Sequence, residues 1–233
     1  MAAQVKVNQR GKLRSVVNIR KFQYTPIIVS DSIVIGNIIR DNIVVVKEKE
    51  MRKVLPVIKA HLEKEKYKLP PAIVLVAGNE ETSARGYGLI NSNVRGKEPV
   101  IAGYMVEDLM EVIREIECFI KSVGGKLIVA PLIPRPAEQC FIKNLSTPLN
   151  IQELLSEAYV DANLQIRKLN RDNRVSTPPI DTYLEKSRMY KNRKQKMIEW
   201  NKYKEDLIRP EKAMERKLTT ILIKTVEALA ANR

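Results

Sequence analysis

A three-layer α/β/α domain on a parallel sheet of about five strands is the fold class this 233-residue chain predicts, on three observations. Short apolar runs rich in β-branched residues alternate with longer segments whose apolar positions recur every three or four residues. The short runs are almost continuously apolar, as strands buried on both faces are. Strands that alternate with helices need right-handed crossovers, which cover both faces of a parallel sheet.

Residues 1–22 mix polar and basic residues with scattered Val and Ile, and read as an arm ordered only on contact. The domain proper spans 23–233. Its first strand is Ile27 to Val29 and its second Ile43 to Val46, four β-branched residues in a row. Met51 to Glu65 places Val54, Leu55, Ile58 and Leu62 on one helix face, with Pro56 either bending the helix or marking its start. Pro70 and Pro71 stop it, and Ala72 to Ala77 is a buried strand ending at Gly78, Asn79 and Glu80. The Gly-, Ser- and Asn-rich stretch from Glu81 to Gly103 reads as a long functional or capping loop.

Met105 to Lys121 is a helix with Leu109, Val112, Ile113, Ile116 and Ile120 as its stripe, ended by Gly124 and Gly125. Lys126 to Ala130 is the next strand and Ile151 to Leu169 the next helix, with Leu154, Leu155, Ala158, Ala162, Ile166 and Leu169 facing in. Arg174 to Thr177 is the expected fifth strand. Tyr183 to Tyr203 is helical by propensity, and 183–205 is expected to form a basic helical insertion that either packs on the domain or projects from it. Pro210 opens a last helix lined by Met214, Leu218, Ile221, Leu222, Val226 and Leu229.

The net charge of +14 is concentrated in two places. Residues 1–22 carry Lys6, Arg10, Lys12, Arg14, Arg20 and Lys21 without one acid. Residues 185–204 carry Lys186, Arg188, Lys191, Arg193, Lys194, Lys196, Lys202 and Lys204 against Glu185 and Glu199. Such clusters suit a polyanion, because each neutralised phosphate releases counterions; a solvated tail and helix face is the other reading. Tyr190, Trp200 and Tyr203 lie among the cations, where they either stack on bases or anchor the segment to the domain. The expected nucleic-acid contacts are Arg10, Lys12, Arg14, Arg20, Lys21, Lys186, Arg188, Lys191, Arg193, Lys194, Lys196 and Trp200, with RNA the first partner and another polyanion the second.

Cys118 and Cys140 lack metal-site spacing and His61 is the sole histidine, so no metal or cofactor is expected and both thiols read as reduced. With no apolar run of membrane-spanning length and no signal-peptide core, the expectation is a cytoplasmic chain, or one in the nucleus or a particle, without a membrane partner.

Ser30, Asp31 and Ser32 follow the first strand, where α/β proteins place reactive side chains; capping the next helix is the alternative use of Asp31 and Ser32. Four blocks in order resemble the SGNH, or GDSL-type, hydrolases of the intracellular kind found in mobile elements and viruses. Ser30-Asp31-Ser32 resembles the Gly-Asp-Ser block, which makes Ser32 the nucleophile position. Ala77-Gly78-Asn79-Glu80 resembles Gly-Thr-Asn-Asp, which makes Asn79 the oxyanion donor. Leu132 to Pro136 is similar to the segment after the fourth strand, and Asp206 to Glu211 resembles the Asp-x-x-His block. The resemblance implies a flavodoxin-like fold.

Arg209 stands where that family has its histidine. A guanidinium stays protonated and has no lone pair to accept the serine proton. His61 lies in the charged helix, remote from every block, and the second strand has no glycine after it to supply another oxyanion donor. These departures lead to the expectation of a catalytically inactive protein that acts by binding or assembly, in contact with RNA or as a homo-oligomeric particle of a mobile element or virus. The alternative is a serine esterase or acetylhydrolase that uses Ser32 with a non-standard base, for which Lys47, Lys49 and Asp206 are candidates. A further possibility makes Arg209 the centre of an anion pocket.

Overall fold

The computed structural model describes residues 22–30, 42–48, 50–76, 78, 98–133, 149–190, 193–198 and 212–231. Four parallel strands form the main sheet: β1 (Thr25–Ser30), β2 (Val44–Lys47), β3 (Pro71–Val76) and β4 (Lys126–Val129), in the order β2-β1-β3-β4. Alternation along each strand divides the interior in two. Ile27, Val29, Ile73, Leu75, Leu127 and Val129 face one core, while Ile28, Ala72, Val74, Val76 and Ile128 face the other. Both faces are therefore covered, which is why the strands read as unbroken apolar runs.

Three helices cover the first face: α1 (Met51–Glu65), α2 (Glu98–Ser122) and α3 (Leu149–Asp172). The second face holds α4 (Lys212–Ala231) and the segment around Ile180 and Leu184. Pro56 neither starts α1 nor ends it; it lies within the helix on the exposed side, where the cost is the missing N–H to Arg52. The predicted loop up to Gly103 is shortened, because α2 begins at Glu98. Pro99 falls in its first turn, where no N–H is needed, and Gly103 is exposed with open space around it. Gly124, at φ +72°, closes α2: its N–H bonds to Lys121 and that of Gly125 to Ile120, satisfying two terminal carbonyls.

The fifth strand expected at Arg174–Thr177 does not form. Arg174 adopts a left-handed φ of +56° and its N–H bonds to the Arg171 carbonyl, while the Val175 N–H bonds to Asn170. That is a helix cap, and it uses the donor a strand would have offered. The fully buried Asn170 side chain takes the place of the missing strand. Its Oδ1 accepts from the Val129 N–H at 3.0 Å, its Nδ2 donates to the Val129 carbonyl at 2.7 Å, and its second N–H reaches Thr177 Oγ1 at 3.0 Å. One turn-pair earlier on the same helix face, Asn163 does the same for Leu132 at 2.7 and 3.2 Å. Two side-chain amides thus close the sheet edge like a neighbouring peptide chain.

The basic helix expected at 183–205 is also replaced. Strands β5 (Glu185–Tyr190) and β6 (Arg193–Ile198) form an antiparallel hairpin, separate from the main sheet, with Glu185 opposite Ile198 and Tyr190 opposite Arg193. The segment has no apolar stripe at helical spacing, so helix propensity alone supported the expectation. No helix among the described residues is long and apolar enough to cross a membrane.

Candidate active site

Parallel strands end at one edge of the sheet, and from that edge β1 and β3 lead into two of the predicted blocks. Ser30, fully buried, is the last residue of β1 and lies level with Lys47 of β2 and Val76 of β3. The Glu48 N–H donates to the Ser30 carbonyl at 3.1 Å, fixing the strand end just before Asp31 and Ser32. Beyond β3, Gly78 takes a φ of +99°, and a Cβ there would sit 2.8 Å from Leu109 of α2. The left-handed backbone is what calls for glycine, and the Leu109 tip would have to shift for any side chain placed there. The sequence block containing Gly78 thus owes its glycine to geometry at the strand exit.

The last helix returns to the same edge. Gln23 and Tyr24, just before β1, donate to the Ala230 carbonyl near the end of α4 at 2.9 and 3.2 Å. Since α4 packs on β1 and β3 through Leu218, Leu222 and Val226, its other end, at Lys212, points toward the carboxyl ends of those strands. The chain therefore leaves β1 before Ser32, leaves β3 before Asn79 and enters α4 after Asp206 and Arg209, all at one end of the sheet. Ser32, Asn79, Asp206, Arg209 and Lys49 themselves lie outside the described residues, as do Arg10, Lys12, Arg14, Arg20, Lys21, Lys191, Trp200, Tyr203 and Cys140.

His61 is elsewhere. It sits in the last turns of α1, which run toward the start of β3 and hence toward the amino ends of the strands. Its Nε2 is 2.7 Å from the Tyr67 hydroxyl, and the rings lie 5.7 Å apart. Burial, helped by the charge of Glu65, holds the Tyr67 phenol above its ordinary value. The sole histidine is thus committed to a contact at the end of the sheet remote from Ser30.

Lys47 is the one proposed proton acceptor within the described residues, exposed at the end of β2. Cys118 is an exposed free thiol on α2. Among the described residues, no three His, Cys, Asp or Glu side chains are grouped so as to hold a metal. Reading the sequence did not anticipate Asn163 and Asn170, since asparagine on a helix carries no signal of what its amide will meet.

No family model matches the sequence, and no curated protein matches it significantly. Solved structures do. A GDSL-like lipase from Bacteroides thetaiotaomicron VPI-5482 superposes with a TM-score of 0.57 at 14% identity, over 87% of this chain and 86% of that one. This chain has the SGNH-hydrolase fold. A protein of Bacteroides fragilis NCTC 9343 assigned as an acylhydrolase gives a TM-score of 0.52 at 13% identity, over 87% and 86% of the two chains.

These likenesses correct the expectation of an inactive RNA-binding or particle-forming protein of mobile-element or viral type. The two solved chains above, which share this fold, are described as a GDSL-like lipase and an acylhydrolase. The helix that was to interleave aromatics with cations is a hairpin whose strands contain Tyr190 but neither Trp200 nor Tyr203.

Proposed function

We propose that the chain is a serine esterase or acylhydrolase in which Ser32 is the nucleophile and a group other than histidine takes its proton. One observation carries the reading: the ends of β1 and β3 and the start of α4 share one edge of the sheet, the arrangement through which separate sequence blocks can act on one acyl group. The hydrolase descriptions of the solved structures with this fold support it.

In this chemistry the Ser32 Oγ forms a bond to the ester carbonyl carbon while its proton passes to the base. The base returns that proton to the leaving alkoxide as the C–O bond breaks, and water then releases the acid from the acyl-enzyme. Asn79 donates to the oxyanion. Arg209 cannot accept a proton, and His61 is held at the far end of the sheet. Lys47, level with Ser30, is the first candidate for the base; Lys49 and Asp206 are the others.

The test is a fluorophosphonate probe together with a short-chain nitrophenyl ester. Labelling at Ser32 and turnover are expected in the unmodified chain, with both lost in Ser32→Ala. Lys47→Gln should lower turnover. An unlabelled, inactive chain, or labelling that survives Ser32→Ala, overturns the proposal.

A further inference from the structure

The β5–β6 hairpin has no part in the chemistry above, yet residues 185–198 hold six cations and one acid. Its root is fixed beside the candidate site. Leu184, immediately before β5, is fully buried against the core under α4, and Lys217 Nζ lies 4.1 Å above the Tyr183 ring. Lys217 belongs to the second turn of α4, near the end of the helix that points to the strand carboxyl ends. The hairpin therefore springs from the edge of the sheet where Ser30 lies.

The strand register distributes the charge over the whole ribbon. Lys186, Arg188 and Arg193 fall at positions of one face, Lys194 and Lys196 at positions of the other. Two six-residue strands extend about 20 Å. A cationic ribbon of that length, charged on both faces, fits an extended negative layer better than a small anion. Besides Ser187 and Gln195, the uncharged residues of the two strands are Met189, Met197 and Ile198, with Tyr190 at the turn end. The apolar four are suited to the boundary of an apolar phase, and the two strands themselves offer one ring on which a base could stack.

We propose that this hairpin docks the protein on an anionic phospholipid surface and so brings the edge of the sheet carrying Ser30 to the lipid–water boundary. The absence of a spanning helix among the described residues is compatible with this, since the contact is electrostatic and peripheral.

The experiment is co-sedimentation of the full chain with vesicles of phosphatidylcholine alone and of phosphatidylcholine mixed with phosphatidylglycerol, at low and high salt. Binding is expected only to the mixed vesicles and should fall with salt. Each cation removed should weaken it about fivefold, so Arg188→Gln with Lys194→Gln and Lys196→Gln should lose well over tenfold while the circular dichroism spectrum is unchanged. Equal binding to neutral vesicles, no binding at low salt, or a triple variant that binds like the parent overturns the proposal. So does an RNA oligonucleotide that binds through the same three residues and displaces the vesicles. The salt and lipid dependence of the unmodified chain decides the matter even if the variant misfolds, and neither result depends on ester hydrolysis.

Discussion

Replacing Asn170 tests the account of the sheet edge. The side chain is completely buried and makes three hydrogen bonds, two of which satisfy the outward N–H and C=O of Val129. Asn170→Ala removes all three and strands both backbone groups away from water. At about 1–3 kcal/mol for each unsatisfied group, the loss is about 2–6 kcal/mol, a large part of a typical stability of about 5–15 kcal/mol. Asn170→Asp separates the two roles. The new carboxyl can still accept from the Val129 N–H, but its other oxygen faces the Val129 carbonyl, 2.7 Å from the present Nδ2. Only the protonated form can donate there, so its folded pKa must lie above the ordinary value of about 3.9. The folded variant then binds more protons than the unfolded chain, and its stability is greatest at acid pH. Between the ordinary and the raised pKa it falls by about 1.4 kcal/mol per pH unit. Urea unfolding across a pH series, against the unmodified chain, measures both effects. An Asn170→Ala midpoint equal to the parent's, or a flat pH difference for Asn170→Asp, would show that the segment after α3 can pair with β4 directly and would refute the amide-for-strand argument.

Gly78→Ala forces a left-handed residue against Leu109 and should cost about 1–3 kcal/mol; thermal unfolding reads the loss, and labelling of Ser32 should fall further than stability does. Arg167→Met leaves the buried Asp181 carboxylate, now 2.6 Å from the guanidinium, with the Thr182 N–H, and should destabilise by about 1.5–3 kcal/mol in denaturant titration, the worth of a hydrogen bond to a charged group. His61→Gln should leave fluorophosphonate labelling unchanged, because the imidazole is paired with Tyr67 at the other end of the sheet; a variant that no longer labels would place His61 in the mechanism. The raised pKa of Tyr67 favours the neutral phenol in the folded chain, so its contribution is complete below about pH 10 and is lost as the pH rises through the folded value. Tyr67→Phe should therefore lose less stability than the parent on going to alkaline pH.

The four strands of the main sheet were legible because each is a short apolar run, and α4 because its stripe from Met214 to Leu229 recurs at helical spacing. The hairpin was not legible. Lys, Arg, Gln and Met favour helix in isolation, and without an apolar stripe nothing local opposed that preference. The missing fifth strand failed for a different reason. Val175 reads as a strand residue, but its N–H is taken by the cap of α3 and its would-be partner on β4 by Asn170. The start of α2 was hidden by Pro99 and Gly103, both harmless where they stand.

For the site, the blocks around Ser32, Asn79 and Arg209 came from residue order, while the common edge of the ends of β1 and β3 and the start of α4 came from the direction of α4 and the strand register. Composition and periodicity determined the layered α/β class, the order of the four sheet strands and the helices between and after them, and the two concentrations of charge, because those follow from local spacing and burial. Tertiary structure alone decided which ends meet, that His61 faces Tyr67, and that two asparagine amides finish the sheet. The meeting strand ends and the asparagine amides are contacts between residues distant in sequence, while His61 and Tyr67, six residues apart, meet across the left-handed end of α1 at Lys66; no local pattern encodes which partner a polar side chain will find.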